Sequence, residues 1–244
     1  MKLHILGCGD AFGSGGRNQS GYLFEADDRL FLLDCGPTTL LAMKRAGIDP
    51  RRLDAIILSH LHGDHFGGIP FFFIEYLYLN PRGLSLTIAG PPGTEARVRG
   101  LFGMMYGGGA SAKELPPVVF ENLYTGESTV VQGITVAPFQ VPHQTDDISL
   151  GLKISYDGKE ILFSGDSAWT ELFIEAARGV DLFLCECSFY QEQPGVHINY
   201  QTLSVHIPRL QCRKLLLTHL GEEMLRRRGE LPETTAEDGM VLEI

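Results

Sequence analysis

A chain of 244 residues with 44% apolar and 20% charged side chains is long enough for a substantial core and too apolar to be disordered. No apolar run approaches the roughly 18 residues that mark a membrane-spanning helix, so an integral helical membrane protein is excluded. Thirty acidic against twenty basic residues give a formal charge of −10, which argues against a polyanion held by general basicity and leaves room for a focused phosphate site.

Met1 to Cys8 is too soon broken by glycine to read as a secretion signal, so a cytoplasmic protein is expected. The first predicted strands are Leu3 to Leu6, Tyr22 to Glu25 and Leu30 to Asp34, separated by Gly7, Gly9 and the Asp27-Asp28 turn. A helix is expected after Pro37 up to Gly47, then a buried strand from Leu53 to Leu58 and an apolar helix from Phe66 to Leu79. Strand Leu86 to Ala89 and a helix from Thr94 to about Met105 follow. The segment Gly103 to Ala112, with Met104, Met105, Tyr106 and three consecutive glycines, has the composition of a mobile lid or of an ordinary surface loop. Val118 to Phe163 reads as strand and turn repeatedly, with Asp157-Gly158 as a hairpin signal. The closing third alternates: helix Glu171 to Ala177, strand Leu182 to Glu186, helix Tyr200 to Leu210, strand Lys214 to Thr218. Helices flank strands in both halves around a strand-rich middle, which predicts an α/β fold of sheets between helix layers, as one domain over residues 1–244.

The densest chemistry is Ser59-His60-Leu61-His62-Gly63-Asp64-His65, directly after the predicted strand Leu53 to Leu58. Three imidazoles and a carboxylate in six residues place nitrogen and oxygen donors at one strand end, a set suited to borderline cations such as zinc. His143, Asp166 and His219 each stand just past the end of another predicted strand, as a metal site along one sheet rim requires. His4 and His206 lack that placement and read as structural. The five cysteines, Cys8, Cys35, Cys185, Cys187 and Cys212, are odd in number and lack zinc-finger spacing, so they read as reduced core thiols. Gly7-Cys8-Gly9-Asp10-Ala11-Phe12-Gly13 is one residue off a dinucleotide loop and has no helix after it; its glycines are expected to let backbone approach the metal rim. The basic clusters Lys44-Arg45, Arg51-Arg52 and Arg226-Arg227-Arg228 read as solvated helix faces, with help in holding phosphate as the alternative. The run Pro70 to Leu79 is apolar on nearly every side, implying burial in the domain or at a subunit interface and leaving room for a homodimer.

With His60, His62, Asp64 and His65 the chain resembles metallo-β-lactamase fold hydrolases, whose His-x-His-x-Asp-His signature is intact. The resemblance covers essentially the whole chain and implies a four-layer αββα sandwich with two divalent metals, zinc in the first place and manganese or iron also accepted. By that likeness His60, His62 and His143 would bind one metal, Asp64, His65 and His219 the other, and Asp166 would bridge them. Histidine rather than glutamate at position 62 favours hydrolysis over the redox chemistry of the diiron relatives. Two cations close together generate a hydroxide at neutral pH, and Asp64 would also orient it.

Glu186, in Cys185-Glu186-Cys187, and the downstream His197 resemble the acid dyad of the ribonuclease Z branch, in which a carboxylate keeps an imidazole protonated for the leaving group. The stretches His197 to Thr202, Leu217-Thr218-His219 and Asp238-Gly239-Met240 are similar to a cyclic ribose phosphate phosphodiesterase of phosphonate breakdown. The segment between His143 and Asp166 is long enough for a hairpin but not for the tRNA-binding arm of ribonuclease Z. The expectation is therefore a dinuclear zinc phosphodiesterase acting on a small or cyclic phosphate ester, with nucleic acid disfavoured. Its alternatives are a lactonase, thioesterase or lactam hydrolase of the same fold, or an armless ribonuclease Z-like endonuclease.

Overall fold

The structure, a computed structural model, describes residues 1–79, 86–107, 117–191 and 195–244. In its first half the chain runs β1 (Lys2–Gly7), β2 (Gly21–Glu25), β3 (Leu30–Leu33), α1 (Thr39–Arg45), β4 (Ala55–Ile57), α2 (Gly63–Phe66), α3 (Ile69–Leu79), β5 (Leu86–Gly90) and α4 (Thr94–Tyr106). Then come β6 (Val118–Asn122), β7 (Thr129–Val131), β8 (Ile134–Gln140), β9 (Leu150–Tyr156) and β10 (Lys159–Phe163). The last third is α5 (Leu172–Ala176), β11 (Leu182–Glu186), α6 (Tyr200–His206), β12 (Leu215–Thr218), α7 (Glu222–Arg227), β13 (Thr234–Thr235) and β14 (Val241–Glu243).

Among the described residues the strands form two mixed sheets, ordered β14-β1-β2-β3-β4-β5-β6 and β13-β12-β11-β10-β9-β8-β7. The period-2 alternation of strand side chains explains the layering. Phe31 and Leu33 of β3 point inward to meet Leu182 and Leu184 of β11 in the core between the sheets. Leu30 and Leu32 point the other way, beneath Met43, Phe72, Phe73 and Phe102 of α1, α3 and α4. On the far side Phe183 and Cys185 pack under Phe173, Leu203 and Met224 of α5, α6 and α7. Three apolar layers between four structural ones give the αββα sandwich expected. Tyr22 Oη and Thr218 Oγ1, 2.8 Å apart, join the two sheets in the buried region below the site. The β9–β10 hairpin turns at Asp157 and Gly158, both at positive φ (51° and 69°), as a two-residue hairpin loop demands.

Two expectations change. The helix expected from Phe66 to Leu79 is broken: α2 ends at Phe66 and α3 begins at Ile69, because Gly68 packs on the backbone of Cys35 and Gly36, where a Cβ would lie 2.1 Å from the Gly36 oxygen. The apolar run Pro70 to Leu79, expected to be buried in the domain or at a subunit interface, is covered within the chain at Phe72, Phe73 and Tyr76, while Tyr78 is 76% and Leu79 67% exposed. Gly7 and Gly9 admit the segment 17–19 rather than the donor cluster, since a Cβ on Gly7 would lie 1.9 Å from the Gln19 oxygen. The segment suggested as a lid is described only as far as Gly107, within and just past α4; Gly108 to Ala112 lie outside the described residues. The cysteines are free thiols, four buried and Cys212 half-buried. No helix among the described residues is long and apolar enough to cross a membrane.

Candidate metal and acid-base site

Strands β3 and β4 run parallel, as do β10, β11 and β12. The C-terminal ends of β3 and β4 therefore share one rim of the first sheet and those of β10, β11 and β12 one rim of the second, and the residues at these ends meet, in the usual place for a site on an α/β sheet. β8, two antiparallel steps from β10, ends on the same rim. Asp34 leaves β3, the His60–His65 segment leaves β4, and His143, Asp166, Glu186 and His219 stand at or just past the ends of β8, β10, β11 and β12.

All seven residues expected to hold metal meet there. His60, His62 and His143 offer donor atoms within 4.8 Å of one another, and so do Asp64, His65, Asp166 and His219. Oδ2 of Asp166 is central: Nε2 of His65, His219, His60 and His143 lie 3.2, 3.4, 3.9 and 4.0 Å from it. Nε2 of His65 and His219 also lie 3.1 and 3.5 Å from Oδ2 of Asp64. Nε2 of His143 faces Nδ1 of His62 at 3.1 Å.

The hydrogen bonds behind the rings decide which nitrogen faces inward. A carboxylate only accepts, so Nδ1 of His65 donates to Asp34 Oδ2 at 2.7 Å. Ser59 Oγ donates to Asp34 at 2.8 Å, which leaves His60 Nδ1 to donate to Ser59 Oγ at 3.0 Å. Nδ1 of His143 donates to the Val196 carbonyl at 3.1 Å. Ser188 Oγ donates to Glu186 Oε2 at 3.0 Å or to the His219 carbonyl at 3.0 Å, so Nδ1 of His219 donates to Ser188 Oγ at 2.9 Å. Four imidazoles are thus held by Nδ1 with Nε2 turned to one point, the arrangement that fixes metal-binding histidines. Nε2 of His60 and of His65 are buried and make no hydrogen bond. An orphaned buried ring nitrogen is costly unless a cation takes its lone pair, so this mixed N/O donor set fits a divalent metal.

The electrostatics agree. Burial pushes the Asp166 and Asp64 carboxyls up, but the surrounding imidazoles hold both below the usual carboxylate range. Burial lowers His60. For His65 burial is outweighed by Asp166, Asp64 and Asp34, which favour positive charge at that ring.

Glu186 and His197 stand beside this cluster. Glu186 is 1% exposed, and its Oε1 accepts from the Ser167 backbone N–H at 2.6 Å and from His197 Nδ1 at 2.9 Å. Burial lowers His197, but the Glu186 charge and hydrogen bond and the nearby Asp166 raise it overall to about 9. Its Nδ1 lies 3.9 Å from Asp166 Oδ2. With Nδ1 committed to Glu186, the other nitrogen carries the transferable proton. A cavity of about 730 Å³ opens over both groups, lined among others by His62, Asp64, His197, Phe12, Phe189 and Arg226.

His4 and His206 lie apart, the first 3.2 Å from Glu25, the second stacked on Trp169 with centroids 4.2 Å apart. Asp34, Ser59, Ser167 and Ser188 were not singled out from the sequence; an Asp directly after an apolar strand is the one signal that marked Asp34. Arg226, in a cluster read as a solvated helix face with phosphate binding as the alternative, lines the cavity.

Fold and donor set together define a metal-dependent hydrolase of the metallo-β-lactamase fold. The solved metallo-β-lactamase fold protein YhfI of Bacillus subtilis superposes with a TM-score of 0.79 at 22% identity, covering 99% of each chain. A diphosphatase from the PhnP family does so with a TM-score of 0.81 at 20% identity, covering 100% of this chain and 97% of that one. Residues 1–240 match the family described as anti-Pycsar protein Apyc1, and the chain belongs to that family. The uncharacterized protein Rv1339 of Mycobacterium tuberculosis (strain ATCC 25618 / H37Rv) is 31% identical over 228 residues, 90% of this chain and 81% of that one.

Proposed function

We propose that the chain is a dinuclear, zinc-dependent phosphodiesterase acting on a small or cyclic phosphate ester. His60, His62 and His143 would hold one cation, Asp64, His65 and His219 the other, with Asp166 between them. When bound, two divalent cations activate water at neutral pH and offset the negative charge that builds on the phosphoryl oxygens. Asp64, at the cavity wall, orients the attacking water.

The observation that carries the reading is the 2.9 Å pair of Glu186 and His197 beside the donor cluster, with His197 lining the same cavity. A phosphodiester expels an alkoxide, which needs a proton as it leaves. Glu186 accepts from the Ser167 backbone N–H and from His197, and it favours the protonated form of His197 and orients the ring for that transfer. Lactones and thioesters depend less on such an acid. The cavity accommodates a small ester, and the likeness to a PhnP-family diphosphatase supports phosphorus over carbon as the reacting centre.

The reading includes an intracellular protein and a homodimer through the exposed ends of α3 and α4, where Tyr78, Leu79 and Met104 face outward. Light scattering tests the dimer. The activity is tested by offering zinc- and manganese-loaded protein bis(p-nitrophenyl) phosphate, a lactone and a thioester at equal concentration. Preferential phosphodiester turnover is expected; lactone or thioester turnover with an inert phosphodiester would replace this reading with the carboxyl-ester alternative.

A further inference from the structure

The loop from Asp10 to Ser14 holds a phenyl ring in water at the mouth of the site. Asp10 is 6% exposed, and its carboxylate accepts from the backbone N–H of Phe12 at 3.2 Å, the backbone N–H of Ser14 at 2.9 Å and the Ser14 hydroxyl at 2.7 Å. The Gly15 N–H donates to Glu222 Oε1 at 2.9 Å, and the Gly221 N–H donates to the Ser188 carbonyl at 3.1 Å. Loop and α7 are thereby one wall, anchored to the segment that carries Glu186.

On that wall Phe12 lines the cavity and is 90% exposed. Burial is the ordinary fate of a phenylalanine, and the cage of bonds around Asp10 keeps this one from turning inward. Among charged groups lining the cavity beyond the donor cluster and the dyad, Asp10 is bound to its own loop, Glu222 to Gly15, and Glu223 pairs with Arg227 at 3.6 Å. Arg226 is exposed and has no ion-pair partner among the described residues. A guanidinium has five donors and no acceptor, so its complement is a group that only accepts.

We infer that Phe12 and Arg226 form a recognition subsite for an organic substituent of the phosphate ester, Phe12 stacking on an aromatic ring and Arg226 donating to an acceptor carried by that ring. This rests on the phosphodiester reading to the extent that the phosphoryl group sits at the donor cluster. The two residues determine specificity; neither touches the reacting atoms.

Phosphonates separate the two claims because they bind without turning over. Calorimetric titration of zinc-loaded protein is expected to show phenylphosphonate binding about tenfold more tightly than methylphosphonate, the scale of one aromatic stacking contact. Phe12→Ala should erase that preference and leave methylphosphonate affinity as it was, while Phe12→Tyr keeps it. A para-carboxylate on the ring should add about another tenfold, the scale of a charge-assisted hydrogen bond, and Arg226→Ala should remove only that increment. Equal binding of phenyl- and methylphosphonate to the wild type, a ring preference that survives Phe12→Ala, or no binding of any phosphonate overturns the subsite. A ring preference that depends on Phe12 in a protein inert toward phosphodiesters would retain the subsite and defeat the phosphodiesterase reading instead.

Discussion

Nδ1 of His197 donates to Oε1 of Glu186 at 2.9 Å, and the same oxygen accepts from the backbone of Ser167, the residue after Asp166. One buried carboxylate therefore ties the candidate acid to the strand end that carries the central donor. Because Glu186 is 1% exposed and surrounded by donors, its charge acts on His197 with little solvent screening.

His197→Ala is expected to lower kcat on an alkyl phosphodiester by about 10² to 10⁴, the usual scale of a positioned acid. The loss on bis(p-nitrophenyl) phosphate should be much smaller, since p-nitrophenolate leaves without a proton. Zinc content by atomic absorption should be unchanged. Equal losses on both esters would remove His197 from the leaving-group step, and metal loss would make it a ligand.

Asp34 is fully buried at a φ of 55° and serves His65 and, through Ser59, His60. Asparagine adopts that backbone readily, so Asp34→Asn should keep the fold while weakening the orientation of two imidazoles. Zinc affinity is expected to fall about 10- to 100-fold in chelator competition, the range for loss of such a supporting carboxylate. A wild-type affinity would mean the rings are positioned by packing alone.

Burial, reinforced by Asp238, pushes the Cys8 thiol up to about 12, and burial raises Cys35, Cys185, Cys187 and Cys212 as well. The thiolate is the nucleophile, and a pKa raised above its ordinary value leaves less of it at pH 8. Iodoacetamide at pH 8 should therefore label native protein slowly and first at half-buried Cys212, with the other four reacting on denaturation. Peptide mapping that finds Cys8 or Cys185 labelled as fast as Cys212 in native protein would contradict the packing described.

Gly68→Ala would set a Cβ against two backbone carbonyls, of Gly36 and Cys35, neither of which can swing aside as a side chain could. A destabilisation of about 1–3 kcal/mol is expected in urea unfolding, the scale of core overpacking. Unchanged stability would show that the α2–α3 junction is loose.

That junction also shows where the sequence stopped being informative. An unbroken richness in apolar residues predicted a helix through Phe66 to Leu79, but the break depends on where Cys35 and Gly36 lie, and nothing local encodes it. Strand ends were legible because apolar runs stop at polar residues, and the donor-bearing segments His60–His65, His143, Asp166 and His219 followed from that single pattern. Ser59 and Ser188 were not, since a serine beside a histidine acquires meaning only when its hydroxyl has one place left to donate. Phe12 fell within a segment weighed for its glycines, and its exposure is a property of the Asp10 cage. Arg226 shared its cluster with Arg227 and Arg228, which pair with Glu223 and Glu237, and only the folded chain separates it from them.

The most direct measurement is the activity of metal-stripped protein on bis(p-nitrophenyl) phosphate as zinc is added back. Two cations acting on one phosphodiester require turnover to climb with the second equivalent and level off at two. Full activity at one equivalent, or two equivalents bound with the phosphodiester untouched, would contradict the account.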